Sequence, residues 1–252
     1  MKDITLEALL EAGAHFGHQV TRQNPKARDF VFEAKDGIHI IDLAKTKAYL
    51  DEALAFVGEV AKRPNASLLV VGTKRQAQDI VAAEVKRISE KVTDANVYSV
   101  TNRWIGGTIT NFSAMQKNFA RLHELTALLA SSDAKEKYTK RELGLFEKER
   151  TKLHSFYAGI ANMKAIPTLL FVIDTHTEDL AVREANRLQI PVVGIVDTNA
   201  DPDVVSHPIP ANDDAVGSIQ LLMSAVADAW IEGKMEEAKK EETAKKSKKE
   251  EK

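Results

Sequence analysis

No cysteine occurs in the 252 residues, which excludes disulfides, thiolate zinc sites and cysteine nucleophiles and fits a reducing compartment. Aromatic residues are scarce at 6%, yet 44% of the chain is apolar, enough to bury a full core. No apolar run approaches the length that spans a bilayer. Asp3, Glu7 and Glu11 interrupt the N-terminus where a signal peptide needs a continuous apolar stretch. The expectation is a soluble, cytoplasmic protein with no membrane partner. Net charge is almost missing as well, at −2, which excludes a uniformly basic nucleic-acid binder.

The motifs of the common nucleotide enzymes are also absent. There is no three-glycine dinucleotide fingerprint, no glycine-rich phosphate loop ending in Lys and Ser/Thr, no nucleophile elbow and no metalloprotease histidine pair. Gly72-Thr73-Lys74 lacks the spacing of a phosphate loop. Asp174 and Asp197, each following an apolar strand, leave one alternative open: a metal-dependent phosphoester hydrolase or phosphotransfer enzyme using that carboxylate pair. The commoner role of such residues is to cap a helix or shape a loop. His18, Asp197 and Asp213 form a candidate nitrogen-and-oxygen set for a divalent metal such as zinc. His15 and His39 read as hydrogen-bonding residues of packed structure.

What is present is sorted. Residues 234–252 hold eight Lys and six Glu, a net of +2, which leaves −4 for residues 1–233. Residues 62–75 carry Lys62, Arg63, Lys74 and Arg75 without an acid. Between Asn96 and Arg121 there is again no acid, while Asn102, Arg103, Trp104, Gly106, Gly107, Asn111, Lys117 and Arg121 fall in that window. Residues 168–214 hold nine acids against Arg183 and Arg187. This pattern predicts one cationic flank for a polyanion and one acidic flank for a different partner. In the basic window, a guanidinium can fork onto phosphate and glycines let backbone approach it. Trp104 stands open between a stacking ring and a core plug.

Hydrophobic periodicity orders the elements. A short helix over 5–12 precedes a basic loop over 17–26, and apolar residues flank Lys35-Asp36-Gly37 as in a hairpin. Helices are expected over 42–60, 75–89, 178–188 and 214–232, and strands over 68–72, 97–100, 169–173 and 191–196. Short apolar strands alternating with helices predict an α/β domain built on a mostly parallel sheet. Residues 111–157 break the alternation with two helical stripes either side of Ser131-Ser132-Asp133, and Thr139 with Glu142 makes a capping box. We expect a globular domain from 1–110 and 158–233, and an inserted antiparallel hairpin over 111–157 projecting as a coiled coil. A Lys/Glu-rich tail over 234–252 is expected to be largely disordered.

Several motifs stand in the order of one family. They are Ala12-Gly13-Ala14-His15-Phe16-Gly17-His18-Gln19, Asn24-Pro25-Lys26, His39-Ile40-Ile41-Asp42-Leu43, Val71-Gly72-Thr73-Lys74-Arg75-Gln76-Ala77 and Asn102-Arg103-Trp104-Ile105-Gly106-Gly107-Thr108. Ile195-Val196-Asp197-Thr198-Asn199-Ala200-Asp201-Pro202 and Ile209-Pro210-Ala211-Asn212-Asp213-Asp214-Ala215 complete them. Over residues 1–232 the chain closely resembles the bacterial form of ribosomal protein two of the small subunit. The resemblance implies a Rossmann-like, flavodoxin-like domain with a protruding helical hairpin and no catalysis. It implies binding to small-subunit rRNA between head and body, beside neighbouring small-subunit proteins, without self-association. It also implies docking of the multi-domain ribosomal protein one, which helps capture messenger RNA in translation.

On this resemblance, Arg22, Lys26 and Arg28 would meet phosphate from the N-terminal loop, and Lys74 and Arg75 from a helix start. Arg103 and Trp104 would anchor the hairpin junction beside Asn102, Gly106, Gly107 and Asn111. The resemblance implies no required cofactor and, in some members, a metal near the junction with protein one, for which His18, Asp197 and Asp213 are the candidates here. Two positions depart from the family pattern: Tyr157-Ala158-Gly159-Ile160 replaces a leucine and two glycines, and Ala211 replaces a glycine.

Overall fold

The computed structural model describes residues 4–92 and 94–250, with side chains as far as Lys240. Five strands, β4 (Leu68–Val71), β5 (Val97–Val100), β6 (Leu169–Val172), β7 (Val192–Val196) and β8 (His207–Pro210), form one all-parallel sheet in the order β5-β4-β6-β7-β8. Ranked along the chain this is 2-1-3-4-5, the flavodoxin-like order, with its switch point between β4 and β6. β4, β6 and β7 are buried at every position, which is why they read as runs without a polar residue.

Strand side chains alternate between two cores. Leu68, Val70, Leu169 and Phe171 face α1 (Leu6–Glu11), α2 (Leu43–Ala61), α3 (Arg75–Lys91) and α8 (Val216–Glu250). Leu69, Val71, Leu170 and Val172 face α4 (Phe112–Ala130), α6 (Lys140–Tyr157) and α7 (Asp179–Arg187). Asp42 caps α2 by accepting from the amides of Ala44 and Lys45, and Thr139 with Glu142 completes the predicted capping box on α6. α4 and α6 pack against one another, bridged by the Arg121 guanidinium, which donates to both oxygens of Glu149 at 2.9 and 3.0 Å. A one-turn helix, α5 (Ala134–Lys137), sits where a turn alone was expected.

A second, antiparallel sheet has the order β1-β3-β2, with β1 (Phe16–Gln19), β2 (Val31–Lys35) and β3 (Ile38–Ile41). Asp36 and Gly37 turn the hairpin at φ 52° and 78°, the positive values that a two-residue hairpin loop needs. β1 lies at the start of the stretch read as a loop, because four residues give too short a pattern for periodicity to register. β8 was missed for another reason: Pro208 and Pro210 argue against a strand, yet at a sheet edge their missing amides cost nothing.

The last helix is longer than the span expected over 214–232. α8 does not stop near Glu232 but runs on to Glu250. Its continuation begins inside the globule: Lys234 is only 4% exposed, lies 5.8 Å from the centroid of the Trp230 ring and pairs with Glu237 at 2.5 Å. Glu236 reaches Lys62, the residue that caps the end of α2, at 3.2 Å. Lys, Glu and Ala are strong helix formers, and pairs three residues apart support the helix where few apolar contacts do. Residues 251–252 of the expected tail lie outside the described residues.

Candidate functional site

In an open parallel sheet, ligands enter beyond the carboxyl ends of the strands at the switch point. A cleft of about 590 Å³ lies there, lined by His18, Arg22, Lys74, Asp174, His176 and Asn199 among others. Its chemistry is acidic and internally balanced. Lys74, the N-cap of α3, sends its ammonium into the cleft, 2.8 Å from Asp174, 2.6 Å from Asp213 and 2.7 Å from Asp214. Burial opposes that charge, but the three carboxylates outweigh it and hold the ammonium above the ordinary lysine range. The fold gives Lys74, the residue expected to meet phosphate from this helix start, three internal anions. Thr73, just before it, donates from both its amide and its hydroxyl to Glu178, so a carboxylate occupies the place a phosphate would take at this helix start.

The aspartates of the cleft have structural work. Asp174 sits at φ 66° and accepts from the amides of His176 and Thr177, shaping the loop after β6. Burial raises its pKa, and the hydrogen bonds from Lys74 and Thr177 more than reverse this. Asp197 accepts from the amide and hydroxyl of Thr198 and meets His18 Nδ1 at 3.1 Å. That bond lifts the His18 pKa above the usual histidine value, against the effect of burial and with help from the charge of Asp197. Asp213 is fully buried, and burial, then the charges of Asp174 and Asp197, push its carboxyl up to about 8. The Asp174 and Asp197 pair required by the hydrolase alternative is thus divided, one carboxylate serving Lys74 and the other His18.

For a divalent metal, the donors that converge are His18, Asp213 and Asp214, whose ligand atoms lie within 4.8 Å of one another. Asp214 takes the place expected for Asp197, which orients His18 through Nδ1 and leaves Nε2 facing Asp214 at 3.5 Å. Asp213 Oδ2 is buried without a hydrogen-bond partner. One imidazole nitrogen and two carboxylates suit zinc or a similar ion, although Lys74 already supplies the positive charge there.

The basic window is organised by a residue that sequence reasoning missed. Glu184 on α7 is 7% exposed, and its carboxylate accepts from Trp104 Nε1 (3.1 Å), the amides of Gly107 (2.7 Å), Ile109 (3.3 Å) and Thr110 (3.2 Å), and the Thr110 hydroxyl (2.8 Å). Burial raises the Glu184 pKa, but the bonds from Gly107, Trp104 and Thr110 outweigh it and the carboxyl stays below the ordinary range. Trp104, at 7% exposure, belongs to the core with Val71, Val100 and Ile109. It is a core plug, not a platform for a base. Gly107 has φ +87°, where a side chain would be strained. Asn102 donates its amide to Ser155 O at 3.1 Å, tying the loop to α6. Asn111 precedes α4 without a side-chain capping bond.

The remaining cations divide in two. Lys26 is bridged to Asp201 at 2.8 Å and Asp203 at 3.0 Å, so its charge is met within the protein. Arg22, Arg28, Arg75 and Arg103 are exposed and make no ion pair with any described residue. The predicted separation into cationic and acidic flanks is accordingly corrected. Basic and acidic loops are apart in sequence, but a parallel sheet delivers the carboxyl ends of its strands to one edge, where Lys74 and Lys26 pair with acids. His39 is buried at 5% exposure with neither ring nitrogen bonded, and His15 Nδ1 is likewise unpartnered, so the expected hydrogen bonds from these atoms are not made.

The family described as ribosomal protein S2 matches residues 9–233. The small ribosomal subunit protein uS2 of Corynebacterium urealyticum is 45% identical over 244 residues, covering 97% of this chain and 88% of that protein. The protein of the same name from Corynebacterium diphtheriae is 46% identical, covering 93% and 85%. That from Geotalea uraniireducens is 48% identical, covering 92% and 88%.

Proposed function

Because the chain belongs to the ribosomal protein S2 family, we propose that it is a structural constituent of the small ribosomal subunit that binds small-subunit rRNA in the cytoplasmic ribosome. The family is a structural one, and the chain is not an enzyme. The observation that carries the RNA-binding reading is the contrast at the carboxyl edge of the sheet. The ligand crevice is charge-balanced by the protein's own Lys74 and carboxylates, while the exposed guanidinium groups of Arg22, Arg75 and Arg103 make no ion pair with a described residue. Such groups grip phosphate through paired hydrogen bonds and position RNA without reading its sequence. No helix among the described residues is long and apolar enough to cross a membrane.

The finer features of the reading are of the same kind. The helical segment 111–157 acts as an inserted arm, and the protein sits between head and body. The protein-facing side is the three-stranded sheet, where Phe16, Val20, Phe32 and Ile38 are exposed. Apolar side chains of this kind suit a protein partner, and ribosomal protein one docks there. No cofactor is needed for either contact. A divalent ion at His18, Asp213 and Asp214 would tie the N-terminal loop to the start of α8.

Sedimentation through a sucrose gradient tests the reading. Tagged wild-type protein is expected to travel with small subunits. A variant with Arg22, Arg75 and Arg103 all changed to Ala is expected to be stripped from them at lower salt, because phosphate contacts weaken steeply with ionic strength. Wild-type protein that stays at the top of the gradient would sink the proposal.

A further inference from the structure

Arg183 and Arg187 sit in the most acidic stretch of the sequence, and nothing local marks them as anion ligands. The fold moves them out of that context. They lie on α7 four residues apart, and with Leu180 three residues before Arg183 they share one face of the helix. That face and the Gly106-Gly107 backbone line a shallow groove of about 330 Å³. Leu180, 44% exposed, gives it an apolar floor, and a Cβ on Gly106 would lie 3.7 Å from the Leu180 Cδ2. The one acid lining the groove, Glu184, spends both oxygens on the loop amides, Trp104 and Thr110, so its charge is satisfied inward. Arg183 pairs with Asp179, an exposed contact of little strength, and Arg187 has no ion-pair partner among the described residues.

We propose that this groove is an RNA contact of its own. A ribose or unpaired base rests on Leu180 and Gly106, and the flanking phosphates lie on Arg187 and Arg183. The inference rests on the rRNA-binding reading above and adds residues to it. RNA is favoured because the groove continues the loop that carries the exposed Arg103, unpaired among the described residues and three positions before Gly106. The glycine backbone, held in place by Glu184, admits a bulky sugar-phosphate chain, and the paired guanidinium groups match its repeating charge.

The test measures filter binding of the full-length protein to in vitro transcribed small-subunit rRNA between 50 and 200 mM salt, a range over which phosphate contacts weaken steeply. Arg183→Ala/Arg187→Ala is expected to bind about tenfold more weakly, with the slope of log affinity against log salt reduced by roughly one to two. Its melting temperature should match wild type, since both side chains are exposed. Arg183→Lys/Arg187→Lys should recover the slope and only part of the affinity, because the charge returns without the fork. Lys86→Ala, on α3 across the sheet and 77% exposed at its side chain, should bind as wild type. A double alanine variant with wild-type affinity and slope would overturn the groove assignment and leave the family reading intact. So would loss of a neighbouring protein from reconstituted particles with RNA affinity unchanged. Wild-type protein that fails to bind the RNA at all would overturn both.

Discussion

Replacing Glu184 with Ala removes one acceptor group from five donors at once. Two of those donors belong to buried residues: Trp104 is 7% exposed and Ile109 2%. Without Glu184, the indole N–H and the Ile109 amide stay inside with no partner, at about 1–3 kcal/mol each. The Gly107 and Thr110 groups lie closer to solvent and can turn to water, at smaller cost. Relief of the buried carboxylate's own desolvation offsets part of the loss, which leaves a net destabilisation of about 3 kcal/mol. For a domain of this size that lowers the melting temperature by roughly 6–12 °C. Glu184→Gln keeps the carbonyl acceptor and the volume but loses charge assistance, so it should fall between the two. Calorimetry gives the order, and tryptophan emission reports the cause. Trp104 should shift to the red as its loop loosens, whereas Trp230, fully buried with Nε1 donating to Ala95 O at 2.9 Å, should not. An alanine variant that melts within about 1 °C of wild type, with unchanged emission, would refute the idea that this carboxylate organises the basic loop.

Other consequences can be measured on the same preparations. With chelator present, stability should fall as pH rises from 6.5 to 8, by up to about 1.4 kcal/mol per pH unit for each proton involved. The sign follows from two raised pKa values. His18 contributes fully below its unfolded value and loses the contribution above its folded one, while Asp213, pushed up to about 8, retains in the folded state a proton that the unfolded chain has released. Asp213→Asn should flatten the profile; an unchanged slope would exclude Asp213 as its source. Lys74→Ala should cost about 3–5 kcal/mol near neutral pH by leaving the buried Asp174 carboxylate, with Asp214 beside it, without its cation, and the deficit in chemical denaturation should shrink on acidification. Gly159→Ala should destabilise by about 2–3 kcal/mol, because its Cβ would stand 2.2 Å from Ser99 O, a backbone atom of β5. If that variant melts like wild type, the return from the helical segment is looser than the packing indicates.

The elements of the parallel sheet were legible in the sequence because they depend on local rules. Leu68–Val71 and Val192–Val196 are apolar throughout since both faces are covered, and Asp42 and Thr139 announce helix starts by the bonds their side chains make a few residues away. The arginines were not legible in this way: Arg28 has Asp29 beside it and Arg75 has Asp79 four residues on, yet in the fold Arg22, Arg28, Arg75 and Arg103 make no ion pair with a described residue. β8 was not legible either, because an edge position excuses prolines only once the sheet around it is known.

The sequence by itself determined the alternation of strands and helices, the family motifs and the want of catalytic machinery. Tertiary structure alone decided which charges would be spent inside. Lys74 meets Asp174, Asp213 and Asp214 from 100 or more positions away, and Trp104 meets Glu184 across 80. Periodicity records only what a residue's near neighbours require of it. Pairing of charges depends on where the chain returns, and in a parallel sheet every return ends at the same edge.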